Sequence, residues 1–286
     1  LGEALFFDPM LSLDGSISCA SCHQPALAFT DQREVSIGVN GRKGMRNTMT
    51  LVNLETIQTG YFWDGRVMDL EEQVLHPITN PNEMGADLEQ VMDRLAHRPE
   101  YQWLFAESPT KRLGQALAAY LRSITLSDSK FDRVMAGEEN FTLSEERGWA
   151  IFFDATDYLP HGECSHCHTD PLFTNHQFFN NGISEVTDSG LLEDSGQGGI
   201  TGIPQQMGRF RTPTLRNIAV TAPYMHDGRF QTLEEVLEHY NSGGQPGFNV
   251  NPNVRSLQLS KEDMEDVIAF LHTLTDRSLV QVREGL

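Results

Sequence analysis

Polar caps followed by apolar residues at helical spacing recur along this chain, and alternating strand patterns are sparse. Thr142 with Glu145 forms a capping box that opens a predicted helix through Phe152. Thr232 with Glu235 opens another, running through Tyr240. Ser260 caps a last helix on which Met264, Val267, Ile268 and Leu271 fall on one face. Leu113 to Ile124 reads as a buried helix of the first half. No apolar run approaches the ~20 residues that a membrane span needs.

The same pattern occurs twice. Phe6-Phe7-Asp8 returns as Phe152-Phe153-Asp154, and Ala28-Phe29-Thr30 as Leu172-Phe173-Thr174. Thr48-Met49-Thr50-Leu51-Val52-Asn53 matches Thr212-Pro213-Thr214-Leu215-Arg216-Asn217, and Tyr61-Phe62-Trp63-Asp64-Gly65-Arg66 matches Tyr224-Met225-His226-Asp227-Gly228-Arg229. Fixed-period self-similarity of this kind marks a tandem repeat. The offset grows from 145 residues at His23/His168 to 163 at Asp64/Asp227, so the second half carries an insertion. The Gly/Ser/Asp-rich stretch from Ser184 to Gly202 is the expected insertion, an exposed loop.

At 286 residues the chain has room for two domains at ~150 residues each. Its 21 Lys plus Arg stand against 40 Asp plus Glu, a net charge of -19. That balance repels phosphate backbones and argues against nucleic-acid binding. The chain starts at Leu1 without a signal segment, which reads as a mature or trimmed product and is compatible with export.

All four cysteines fall in Cys19-Ala-Ser-Cys22-His23 and Cys164-Ser-His-Cys167-His168. C-x-x-C-H is the c-type haem attachment signature: both thiols bond the haem, and the histidine is placed to ligate iron. A redox C-x-x-C has no need of the following histidine. A Cys₄ zinc site uses pairs only ~12–20 residues apart. A disulfide framework wants more cysteines in a shorter chain. The predicted fold is therefore all-α, two tandem cytochrome c-like domains with one covalently bound haem each, residues 1–135 and 136–286. Covalent haem attachment implies an exported, periplasmic protein.

The repeat continues past Asp-Gly-Arg without a gap. Leu70-Glu71-Glu72 pairs with Leu233-Glu234-Glu235, His76 with His239, and Pro77 with Tyr240. Tyrosine can ligate iron through its phenolate, and proline offers no donor atom. One haem then reads as six-coordinate and the other as open to a small ligand. Neighbouring helical residues point ~100° apart, so only one of His239 and Tyr240 can face the iron. The residues alone leave that choice open, and a tyrosine on an amphipathic helix is ordinarily core packing.

These features resemble the bacterial diheme cytochrome c peroxidase superfamily. The resemblance rests on Leu5-Phe6-Phe7-Asp8-Pro9, the first haem motif, Phe62-Trp63-Asp64-Gly65-Arg66 and Asn80-Pro81-Asn82-Glu83-Met84-Gly85. Pro213-Thr214-Leu215-Arg216-Asn217 and Thr221-Ala222-Pro223-Tyr224-Met225-His226-Asp227-Gly228 complete it. Conventional members carry methionine where Tyr240 stands, and many hold a histidine on the loop that here reads Ile37-Gly38-Val39-Asn40-Gly41. Both departures are similar to the MauG-like branch.

The resemblance implies Tyr240, with His168, as ligands of the second haem, and His23 as the ligand of a peroxide-binding haem. It implies Glu83 as the distal acid–base group, Gln73 as a peroxide-orienting group, Pro77 as a pocket wall and Trp63 as an electron relay between the haems. It also implies a calcium site at Asn47, Thr221 and Pro223, the last two through carbonyls, in keeping with calcium's oxygen preference. The expected activity is hydrogen-peroxide-dependent oxidation of residues, tryptophan above all, of a partner protein. The alternatives are peroxide reduction fed by a small cytochrome c or cupredoxin, and a non-catalytic electron-transfer cytochrome.

Overall fold

In the computed structural model, residues 1–183 and 192–279 are described. The chain divides into two compact units. The first comprises Leu1–Tyr61, Val67–Leu126 and Asp227–Arg229, and the second comprises Phe62–Arg66, Ser127–His226 and Phe230–Leu286. The two Asp-Gly-Arg turns are thus exchanged: each packs in the unit of the opposite repeat.

The first unit holds α1 (Gly2–Phe7), α2 (Cys19–Cys22), α3 (Leu70–Gln73), α4 (His76–Thr79), α5 (Leu88–Ala96) and α6 (Pro109–Ser123). The second holds α7 (Lys130–Met135), α8 (Leu143–Phe152), α9 (Gly196–Thr201), α10 (Leu233–Ser242) and α11 (Lys261–His272). Helix α7 precedes the expected boundary at residue 135, yet its Phe131 lies in the second unit's core. Two-residue strands β1 (Phe178–Phe179) and β2 (Phe210–Arg211) pair antiparallel. No helix among the described residues is long and apolar enough to cross a membrane.

The capping boxes form as their spacing dictates. Thr142, Thr232 and Ser260 each accept the backbone N–H three residues on, and Glu145, Glu235 and Asp263 reach back to the capping residue. Helix α10 runs two residues beyond Tyr240, to Ser242, and ends on Gly243 in the left-handed region. Helix α6 starts at Pro109, four residues before the apolar pattern begins, because proline is well suited to a first turn.

In each unit two helices cross closely, the short α1 with α6 in the first and α8 with α11 in the second. Gly2 and Gly148 occupy the same repeat position. A Cβ on Gly2 would overlap the Ala116 carbonyl, and one on Gly148 the Asp266 carbonyl. Glycine there lets two backbones touch, so the crossing needs it in both units. Phe6 and Phe152, four residues further on, are both fully buried. In the second unit Phe152, Phe173 and Phe270 pack edge-on or tilted, with centroids 5.2–6.1 Å apart.

The expected insertion loop is corrected in part. Residues 184–191 lie outside the described residues, and 192–202 contain α9. Its glycines serve close packing: a Cβ on Gly196 would meet the Arg209 carbonyl, and one on Gly198 the Met207 backbone. Composition signals a loop there because such glycines cannot be told from turn glycines by sequence.

Candidate functional site

In the first unit, Ser18 caps α2, which carries Cys19 and Cys22 on a single turn. Neither cysteine is in a disulfide, and the same holds for Cys164 and Cys167. His23 follows the helix, and its Nδ1 lies 3.0 Å from the Phe29 carbonyl. A carbonyl only accepts, so Nδ1 carries the proton and Nε2 keeps its lone pair. In the second unit a 3₁₀ turn, Cys164–His166, presents the thiols, and His168 Nδ1 donates to the Phe173 carbonyl at 2.9 Å. Phe29 and Phe173 both adopt positive φ, at 60° and 54°, which turns their carbonyls back onto the histidines. Burial lowers both imidazole pKa values, that of His168 to about 4, against the pull of neighbouring carbonyls. Both rings are therefore neutral at pH 7, the form a metal needs. Two thiols beside a neutral imidazole with its proton fixed on Nδ1 fit a c-type haem in each unit.

The aligned helices that carry Pro77 and Tyr240 differ. In the second unit α10 is continuous through Tyr240. Burial pushes the Tyr240 phenol up to about 12, with Asn181 pulling the other way and Cys167 and Cys164 adding to the rise. The phenol thus lies within electrostatic reach of the haem-binding thiols. Asn181 Nδ2 donates to the Tyr240 hydroxyl at 3.2 Å and contacts Met225 Sδ at 3.5 Å. The Asn181 carbonyl accepts from His239 Nε2 at 2.9 Å, so that nitrogen is committed to the backbone as a donor. Asn181 therefore holds both members of the His239/Tyr240 pair, and nothing in the sequence marks it apart from other loop asparagines.

In the first unit the matching helix is broken. α3 ends at Gln73 and α4 begins at His76, with Pro77 in its first turn. Proline lacks the N–H that would bond back to residue 73 and disfavours helical backbone at the residue before it. Gln73 and Pro77 are both half-buried. Glu71 on α3 is bound by both guanidinium nitrogens of Arg122 on α6, at 2.7 and 3.0 Å. That pairing holds the Glu71 carboxyl down at about 2.

Glu83 is half-buried and accepts from Asn80 Nδ2 at 2.7 Å. Its charge raises the pKa of both Cys19 and Cys22, after the larger effect of their own burial. The histidine-free loop braces it: Val39 N–H donates to the Glu83 carbonyl at 2.8 Å, and Val39 is 1% exposed. A Cβ on Gly38 would strike the Asn82 and Glu83 backbone.

Trp63 lies in the second unit, where its carbonyl accepts from the Arg211 N–H at 2.8 Å. Arg66 stacks over Phe62 at 3.6 Å and pairs with the buried Asp64 at 2.9 Å, fixing the turn that carries the indole. Of the three expected calcium ligands, Asn47 belongs to the first unit, its amide donating to the Arg33 carbonyl at 2.9 Å. Thr221 and Pro223 belong to the second, with the Thr221 hydroxyl 3.3 Å from the Ile218 carbonyl.

Comparison with known proteins agrees with this chemistry. Residues 1–140 match the family described as di-haem cytochrome c peroxidase. The methylamine utilization protein MauG of Paracoccus denitrificans is 36% identical over 97% of this chain and 88% of its own length. The cytochrome c551 peroxidase of Nitrosomonas europaea is 33% identical, covering 96% of this chain and 79% of its own. The crystal structure of a MauG-like protein associated with microbial copper homeostasis superposes with a TM-score of 0.84 at 33% identity, over 98% of this chain and 89% of that one. With sequence relatives along nearly its whole length and a haem-binding set in each unit, the chain belongs to the diheme cytochrome c peroxidase and MauG family of oxidoreductases, whose members carry two c-type haems.

Proposed function

We propose that this protein is a periplasmic, MauG-like enzyme that uses hydrogen peroxide to oxidise residues, tryptophan above all, of a partner protein. The single observation that carries this reading is the asymmetry of the distal elements. In the first unit, Pro77 has no donor and splits the helix. In the second unit, Tyr240 stands on an unbroken helix within electrostatic reach of the thiols, held by Asn181.

Haems held by Cys19, Cys22 and His23 and by Cys164, Cys167, His168 and Tyr240 would supply the redox chemistry of peroxide-driven oxidation. The chain's residues do the rest. Pro77 leaves a face on which peroxide can bind, and Gln73 orients it by hydrogen bonding. Glu83 takes the proton from one peroxide oxygen and returns it to the other, which leaves as water. Asn80 and Val39 hold Glu83 in place for that transfer. Tyr240, together with His168, would hold the iron of the second haem. Its buried phenol must lose its proton to bind a metal, and the Asn181 amide stabilises the resulting anion. The Tyr240 phenolate would place negative charge beside the iron it holds, which would favour the oxidised forms of that haem over easy acceptance of electrons from a small donor. Trp63 serves as the electron relay, and Asn47, Thr221 and Pro223 bind calcium.

Addition of one equivalent of hydrogen peroxide to the fully oxidised holoprotein tests the reading. A long-lived optical change without added reductant supports it. A requirement for prior reduction of one haem replaces it with conventional peroxide reduction fed by a small cytochrome c or cupredoxin. A loss of the response on calcium chelation, restored by calcium, supports the calcium assignment.

A further inference from the structure

We propose that Asp154, Glu163 and His166 form a binding site for one divalent first-row metal ion of the zinc class, separate from both haem irons. One ligand atom from each of the three side chains lies within 4.8 Å of the others. His166 Nε2 stands 3.0 Å from Glu163 Oε2 and 3.8 Å from Asp154 Oδ2. Tetrahedral ligands held at ~2.0–2.1 Å from zinc are ~3.3 Å apart, and these two separations straddle that edge length.

Each carboxylate has its other oxygen anchored. Asp154 Oδ1 accepts the Glu163 backbone N–H at 3.2 Å, and Glu163 Oε1 pairs with Arg255 from outside the cluster. This is the arrangement that orients metal ligands: one oxygen anchored, the other aimed. The Asp154 and Glu163 side chains are only 15% and 12% exposed, whereas His166 is 51% exposed. Two poorly hydrated carboxylates against one guanidinium leave a negative charge that a cation would neutralise. The exposed imidazole side gives the ion an entry path and a fourth position for water.

The repeat supplies an independent argument. Asp8 is the counterpart of Asp154, and in the first unit both its oxygens are used structurally, by the Met10 N–H at 2.8 Å and the Tyr101 hydroxyl at 2.6 Å. The counterpart of His166 is Ser21, which caps its own helix through Ser18. The second unit has given up both structural uses and gained an imidazole and a second carboxylate at the same place. One imidazole with two carboxylates suits Zn²⁺ or Cu²⁺, and excludes the all-oxygen preference of calcium.

The test is a Zn²⁺ titration by calorimetry of the calcium-saturated diheme holoprotein, alongside His166→Ala and Asp154→Asn. His166 is one of the two variable positions inside the second Cys-x-x-Cys-His motif, and both changes keep that motif's cysteines and its terminal histidine. The expected result is one equivalent bound by the native protein and at least tenfold weaker binding in each variant, with unchanged haem spectra. No Zn²⁺ uptake by the native protein, or equal uptake by the variants, overturns the proposal. If a variant fails to mature, the native protein loaded with one equivalent of Cu²⁺ decides by electron paramagnetic resonance. Nitrogen coupling from one imidazole supports the site, and its absence overturns it. Neither readout depends on peroxide chemistry.

Discussion

The two units carry the same aligned helix position in opposite forms. In the second, α10 runs unbroken from Leu233 to Ser242 and carries Tyr240 on its face. In the first, the same stretch is split into α3 and α4, and Pro77 occupies the aligned place. One residue differs in two respects at once: tyrosine has a donor oxygen and a helical N–H, and proline has neither. The lesson is that a duplicated unit can diverge at a single helix position, and on the function proposed above that position divides substrate binding from charge storage. The rest of each unit then reinforces the difference, Val39 and Asn80 bracing Glu83 on one side and Asn181 holding Tyr240 on the other.

The comparison can be broken most completely at Tyr240. Tyr240→Phe removes the phenol and keeps the ring, so the long-lived species formed with peroxide should vanish while both haems remain attached. Spectra identical to the native protein's would remove Tyr240 from the ligand set. Pro77→His places a donor over the first unit's haem, and peroxide and cyanide binding to the oxidised protein should then be lost or strongly slowed. Undiminished cyanide binding would show that the position does not face the iron. Glu83→Gln keeps the hydrogen bond from Asn80 and removes the proton carrier. Stopped-flow reaction with peroxide should slow by ~10²-fold or more.

The smallest effect concerns stability. Arg216, 5% exposed, binds both Asp132 oxygens at 2.7 and 2.8 Å. Burial works to raise the Asp132 pKa, but Arg216 and Ser129 together hold it below its usual 3.8. Asp132→Asn strands the buried guanidinium and should cost about 3 kcal/mol in a denaturant titration. Both Asp132 and Glu71 titrate lower in the folded state than in the unfolded one. Their contribution is present above the ordinary carboxylate range and is lost as pH falls through the folded values. For Glu71 that window runs from about 4.5 down to about 2. Melting temperatures measured across it should fall with pH, and less so in Glu71→Gln.

Much of this was legible from the chain. Capping boxes at Thr142, Thr232 and Ser260 are local, and local signals survive in sequence. Both haem motifs are contiguous, and the Pro77/Tyr240 contrast emerges from aligning the repeats. What escaped depends on through-space contact. Gly2 and Gly148 look like ordinary helix glycines until the partner helix lies against them. Asn181 is separated by 59 residues from the phenol it holds. Asp154 and Glu163 precede a haem motif that contains His166, and its stronger pattern masks them. The exchange of Phe62–Arg66 and Asp227–Arg229 between units has no local signature, because each turn resembles its counterpart.

The most direct test of the central claim is the optical titration of the fully oxidised diheme protein with one equivalent of hydrogen peroxide, followed from the Soret band to the near infrared, without reductant. The account predicts a fast conversion to a species that persists and decays without an added donor. No reaction until one haem is reduced would contradict it.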